Sequence, residues 1–161
     1  DRYFTGTFEP YRITKRPKTD KEAKALKDAL DKLTKETQDR LLSIDEFGVA
    51  EYSMATKVRF GEVLVGYATK LADMPTPQYV LDLDKRNPDA GAVSAYEEAL
   101  GRNLKKYADQ AKLQWSDVVE LSKTNGISNK WSQRALENLA REFPDEFQVL
   151  HQEIFVGTEA P

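Results

Sequence analysis

The stretch RFGEVLVGYATK, residues 59–70, carries two glycines five apart with a threonine and a lysine just behind them. These residue types suit phosphate binding, in which glycines let backbone N–H groups turn toward the oxygens and a lysine neutralises them. The spacing does not. A phosphate loop sets its lysine directly after the second glycine and lies between a strand and a helix. Here Gly66 is followed by Tyr67 and Ala68, and the preceding EYSMATKVR has helical spacing. Glycine within a helix costs about 1 kcal/mol relative to alanine. Gly61 therefore reads as a point where a neighbouring helix comes close, and Gly66 as a second such contact or a tolerated residue. Lys70 reads as a solvent-facing charge.

The other reactive side chains are scattered. His151 is the only histidine. Asp145, Glu146 and Glu153 lie near it in an acidic tail, and it reads as a surface or partly docked residue rather than a base or ligand. A carboxylate metal cage needs Glu-x-x-His on two helices, beyond what one histidine supplies in one copy. LDLDKRNPD and PDEF lack the spaced oxygens, central glycine and closing glutamate of a calcium loop. Serines and threonines show no nucleophile-elbow pattern, and the absence of cysteine removes thiol chemistry. No catalytic, cofactor or metal site is expected. Recognition chemistry gathers instead in the first nineteen residues, where Tyr3, Phe4, Phe8 and Tyr11 precede the one local basic cluster, Arg12, Lys15, Arg16 and Lys18. The basic residues fit docking to an acidic partner or to anionic headgroups, set against a plain reading as a solvated loop.

Long helices must position these residues. Residues 20–47 place Ala23, Leu26, Leu30, Leu33, Thr37, Leu41 and Ile44 on one face at spacings of three and four. The opposite face carries acid-first pairs such as Asp20–Lys24 and Asp28–Lys32, each adding about 0.2–0.5 kcal/mol. Thr19 or Asp20 is the cap, and Gly48 supplies a positive-φ stop. A second helix is expected over 49–73, with Tyr52, Ala55, Phe60, Val63, Tyr67 and Leu71 buried, until MPTP ends it. Residues 78–86 read as irregular with at most a short turn. Asn87 then caps, and Pro88 opens, a helix to residue 124 with the seam Val93, Tyr96, Leu100, Leu104, Tyr107, Ala111, Trp115, Val118 and Ser122. Gly101 is the position at which that helix would bend. A shorter helix over 130–143 buries Trp131, Ala135, Leu136 and Leu139, and DEFQVLHQEIF forms a last helical piece or docking tail. The N-terminal aromatics, among Gly6, Pro10 and Pro17, belong to a loop or arm that rests on this domain or on a preceding element.

At 161 residues with 40% hydrophobic and 32% charged side chains, the chain has the size of one domain with a real core. Its net charge of -3 argues against a globally basic nucleic-acid binder, and no apolar run reaches the roughly 18 residues of a membrane span. Opening on Asp1, it reads as a mature or trimmed segment of something longer.

Tetratricopeptide helix pairs place a small residue late in helix A, where helix B crosses, and an Ala-x3-aromatic-x2-small pattern in helix B. Phe60-Gly61 with Leu64 fits the first pattern; Ala111, Trp115 and Val118 fit the second, with valine at the last small position. Trp131 and Ala135 open a further helix A, and Thr37, Leu41 and Ile44 fit an earlier helix B. An insertion over about 74–87 disturbs the period. On AEYSMATKVRFGEVLVGYATKLADMPTP and AYEEALGRNLKKYADQAKLQWSDVVELSKTNGISNKWSQRALENLA, the chain resembles the tetratricopeptide-type cell-envelope proteins of myxobacteria and related deltaproteobacteria, including those of adventurous gliding motility. The likeness covers residues 20–143 and none of its motifs is catalytic. It implies a periplasmic or outer-membrane-associated scaffold within a multiprotein machine, often with a lipid anchor that would lie outside this chain.

The expectation is thus an all-α protein of antiparallel helical hairpins stacked as an irregular tetratricopeptide-like α-solenoid, with an N-terminal arm (1–19), a repeat-like domain (20–143) and a tail (144–161). Its expected role is a non-catalytic scaffold or adaptor whose partners are other proteins and not nucleic acid. The competing class is a helical-bundle accessory subunit or small-ligand carrier. It would be marked by an apolar cavity between Tyr96 and Trp131.

Overall fold

The computed structural model describes residues 2–45 and 48–147, and within them every regular element is helical. A π-helical turn, Phe4–Phe8, leads into α1 (Asp20–Asp45), α2 (Ala50–Ala72), α3 (Gln78–Arg86), a 3-10 turn at Pro88–Ala90, α4 (Ala92–Asn125) and α5 (Lys130–Glu142). His151 and most of the tail lie outside the described residues.

The long helices follow their periodicity. All seven α1 positions on the predicted face are buried or half-buried, as are all nine seam residues of α4. Buried threonines in α1 satisfy their hydroxyls locally, Thr34 to the Leu30 carbonyl at 2.8 Å and Thr37 to that of Leu33 at 2.7 Å. Thr19 caps α1 by accepting from the Glu22 N–H, while the Glu22 carboxylate reaches back to the Lys18 N–H. The exposed face of α1 pairs Lys27 with Asp31 and Lys32 with Glu36, in register different from the acid-first pairs expected. Asn129 opens α5 with a reciprocal capping box to Ser132.

Five local expectations are corrected. The N-terminal arm is not loop throughout: its first residues wind into the π-turn, closed by Glu9 N–H on the Phe4 carbonyl at 2.8 Å, which stacks Phe4 on Phe8. Residues 78–86 form a full helix, because Gln78 donates its first N–H to the Pro17 carbonyl and its side chain to Asp82. The helix predicted from Pro88 begins at Ala92 instead. Asn87 makes no side-chain cap, Gly91 is left-handed at φ +57°, and Asp84 of α3 accepts from Val93 N–H in the first turn of α4. Tyr52 is about half exposed, and the buried side chains near it are Met54 and Val58. α4 runs uninterrupted through Gly101.

By compactness the chain separates into two units, residues up to 40 with 63–108, and residues 41–62 with those from 109 onward. α1, α2 and α4 each contribute to both, so the division cuts across the linear arm, repeat and tail. In the first unit Tyr67 of α2 donates to Asp31 of α1 at 2.5 Å and meets Tyr107 of α4 edge-on at 4.7 Å. α1 and α4 therefore both pack on α2 there, and the arm covers another part of it. In the second unit Trp115 is fully buried and its indole N–H donates to the Val58 carbonyl at 3.0 Å. Thr56 bonds the Leu41 carbonyl and Lys57 pairs with Asp117 at 2.9 Å. α5 completes this unit with Ala135, Leu136 and Leu139.

Candidate binding site

The eight arm residues singled out by type divide into two groups. Phe4 and Phe8 are buried in their own chain, with Phe8 lying on α2 where Gly66 leaves room; a Cβ there would come within 2.9 Å of its ring. Tyr3, half-buried, donates to Glu36 at 2.9 Å under the guanidinium of Arg40, and the bond to that carboxylate raises the phenol's pKa. Tyr11 is half-buried. Arg12 folds its guanidinium onto the carbonyls of Glu9 and Tyr11. Lys15, Arg16 and Lys18 are exposed, while Pro17 between them is buried and anchored through its carbonyl to Gln78.

Lys70 is not a solvent-facing charge. It is 6% exposed, with its ammonium 4.7 Å from the Phe8 ring centroid and 3.3 Å from the Glu9 carbonyl. Burial, followed by the nearby Arg12 charge, lowers its pKa below the usual lysine value despite the opposing pull of Glu9 and Asp73. The sequence signal for this was weak, since the burying ring comes from the distant arm.

The first unit also holds a furrow between α1 and α4. One end is a hollow of about 330 Å³, floored by Leu71, Met74 and Pro77, walled by Tyr79, Tyr96 and Leu100, and rimmed by Asp20, Lys24 and Lys27. A second, separate hollow of about 220 Å³ shares Lys27 with the first and is lined by Asp31, Thr34, Lys35 and Gln38 of α1, Leu64 and Tyr67 of α2, and Tyr107 of α4. Burial raises the pKa of Tyr79, reinforced by Asp20, and raises that of Tyr96, reinforced by Tyr79, so both walls present neutral phenols. Tyr67 is held neutral more strongly, by burial first and then by Asp31. Sequence reading had placed Tyr96 and Leu100 in the core seam. They lie on it, but half-buried along an open trough. The α1 side was missed because small and charged residues carry it.

The second unit contains the helix-packing residues. Gly61 abuts the Trp115 indole so closely that an added Cβ would lie 2.6 Å from Cε2. Ala111 and Ala135 are fully buried and Trp131 is half-buried, with Arg59 over its ring at 5.5 Å. One cluster here escaped the sequence: Glu62 accepts from Arg134 and Arg59 and, at 3.1 Å, from Asn138. Burial pushes the Glu62 carboxyl up, but those three donors outweigh it and hold its pKa below the usual glutamate value. Lys112 pairs with Glu146 and faces the rings of Phe143 and Phe147.

Among the described residues no three metal-ligating side chains converge, and no helix is long and apolar enough to cross a membrane. The apolar hollow touches Tyr96 and has no contribution from Trp131. Comparison with protein-family models, curated proteins and solved structures finds no match, so the tetratricopeptide likeness stands on its quoted residues alone.

Proposed function

We propose that this chain is a non-catalytic protein–protein interaction module, a scaffold or adaptor of irregular helical-repeat type within a cell-envelope assembly, periplasmic or outer-membrane-associated. The location rests on the resemblance. The single observation that carries the binding role is the α1–α4 furrow, apolar at its Tyr96 end and mixed in character at its Tyr107 end, with a charged rim. The Gly61–Trp115 notch supports the repeat-like reading, since it brings together the two positions assigned to helix A and helix B. The arm, by contrast, uses Phe4 and Phe8 within its own chain, which favours the furrow over the arm's aromatics as the partner surface. The 330 Å³ hollow at Tyr96 favours one second reading, carriage of a small apolar molecule.

The test is capture from extracts of the source organism using the wild-type chain, a variant with Ala99→Arg and Leu100→Glu, both of which line the hollow, and a Lys15→Glu/Arg16→Glu variant. Proteins retained by the wild type and lost with the furrow variant are expected. Recovery of no specific protein would sink the scaffold reading. Unchanged capture by the second variant would remove the basic loop from the interface.

A further inference from the structure

Resting on that reading, we propose that the furrow takes one acidic amphipathic helix of a partner protein as a fifth helix beside α1, α2, α3 and α4 of the first unit. The furrow's two hollows, which share Lys27, together line α1 from Asp20 to Gln38. At 1.5 Å per residue that is about 27 Å, the length of a helix of about 18 residues. Its floor on α2, Leu64, Tyr67 and Leu71, is already buried, so the apolar surface left for an incoming stripe is on the walls, at half-buried Tyr79, Tyr96 and Leu100. α4 shows the same vacancy. Its second-unit residues Ala111, Trp115 and Val118 are fully buried, while Tyr96 and Leu100 are only half-buried beside the open trough.

The charge of the occupant follows from which rim groups are already engaged. Asp31 is held by Tyr67 and ion-paired to Lys27, while Asp20 lies beside the neutral phenol of Tyr79, which leaves its charge uncompensated. Lys24 and Lys35 have no hydrogen-bond or ion-pair partner among the described residues, and both are exposed. Two lysines against the single carboxylate of Asp20 leave the uncommitted rim charge net positive. The two lysines lie eleven residues apart, three helical turns on one face, about 16 Å. A partner helix with glutamates three turns apart, flanking a leucine stripe, meets both.

The experiment uses a fluorescein-labelled 18-residue peptide with leucines at heptad a and d positions and glutamates beside the stripe, and a twin with lysines in place of the glutamates. Binding to the intact chain is read by fluorescence anisotropy at two salt concentrations. The acidic peptide should bind about tenfold more tightly than the basic one and weaken with salt. Lys24→Glu/Lys35→Glu should reverse the ranking while leaving the melting temperature in place, since both side chains are exposed. Equal binding of the two peptides would overturn the charge assignment. Failure of both peptides while furrow-dependent capture persists would overturn the helical occupant and leave the interaction reading standing. Failure of both experiments would remove both. Stoichiometric laurate binding that is lost on Leu100→Glu, with neither peptide bound, would replace the helix by a small apolar ligand.

Discussion

Glu62 shows how a single carboxylate can be both costly and necessary. Its side chain is 8% exposed, and an ionised glutamate so placed is tolerated only because Arg59, Arg134 and Asn138 surround it. Glu62→Gln removes the carboxylate charge that both Arg59, itself 12% exposed, and Arg134 pair with. A loss of about 3 kcal/mol is expected by urea unfolding at pH 7. The pH dependence has a definite sign. The folded pKa is depressed, so the contribution is fully present above the ordinary glutamate value of about 4.3. It drains away as pH falls through the lower folded value. The stability gap between wild type and variant should stay level at neutral pH and narrow only in acid. A gap that narrows instead above pH 7 would show that the cluster does not depend on the ionised carboxylate.

At the scale of the element, two glycines in helices make opposite forecasts. Gly61→Ala places a methyl against Trp115, whose indole is pinned by its bond to the Val58 carbonyl and has no slack to yield. Overpacking of this kind costs about 1–3 kcal/mol, outweighing the gain in helix propensity. Gly101 has nothing within 4 Å of an added Cβ, so Gly101→Ala should stabilise α4 by up to about 1 kcal/mol. Thermal melts of the two variants should move in opposite directions, and a Trp115→Phe background should relieve the first. Parallel shifts would contradict the notch. The contrast also shows what was legible. The stripe of α1, the seam of α4 and the role of Gly61 follow from period and composition, because long amphipathic helices repeat their signal many times. α3 has only nine residues between Pro77 and Asn87, too few to establish a period. Its first turn is set by a bond from Gln78 to the Pro17 carbonyl in a remote segment.

At the scale of the molecule, the modest net charge of -3 conceals local imbalance, with basic side chains along the furrow rim and in the loop at 15–18. The candidate site was therefore only half readable. Its walls were visible as Tyr96 and Leu100, but a trough is defined by which neighbours fail to close it, and no residue pattern records that. The arm's resting on this domain was one of two readings the residues left open, and its seat at Gly66 and Lys70, far along the chain, is written in no local pattern. That seat has a practical consequence. An amine lying under Phe8 can react with an acylating reagent only when the arm lifts, so Lys70 is a built-in clock for arm detachment. Mass spectrometry after brief amine labelling should find Lys70 modified about a hundredfold more slowly than exposed Lys24 or Lys35, as an opening free energy of about 3 kcal/mol implies. Phe8→Ala should speed Lys70 alone. If Lys70 instead reacts only as fast as the whole chain unfolds, the arm and α2 come apart together, and the N-terminal segment is as permanent a part of the molecule as any of its helices.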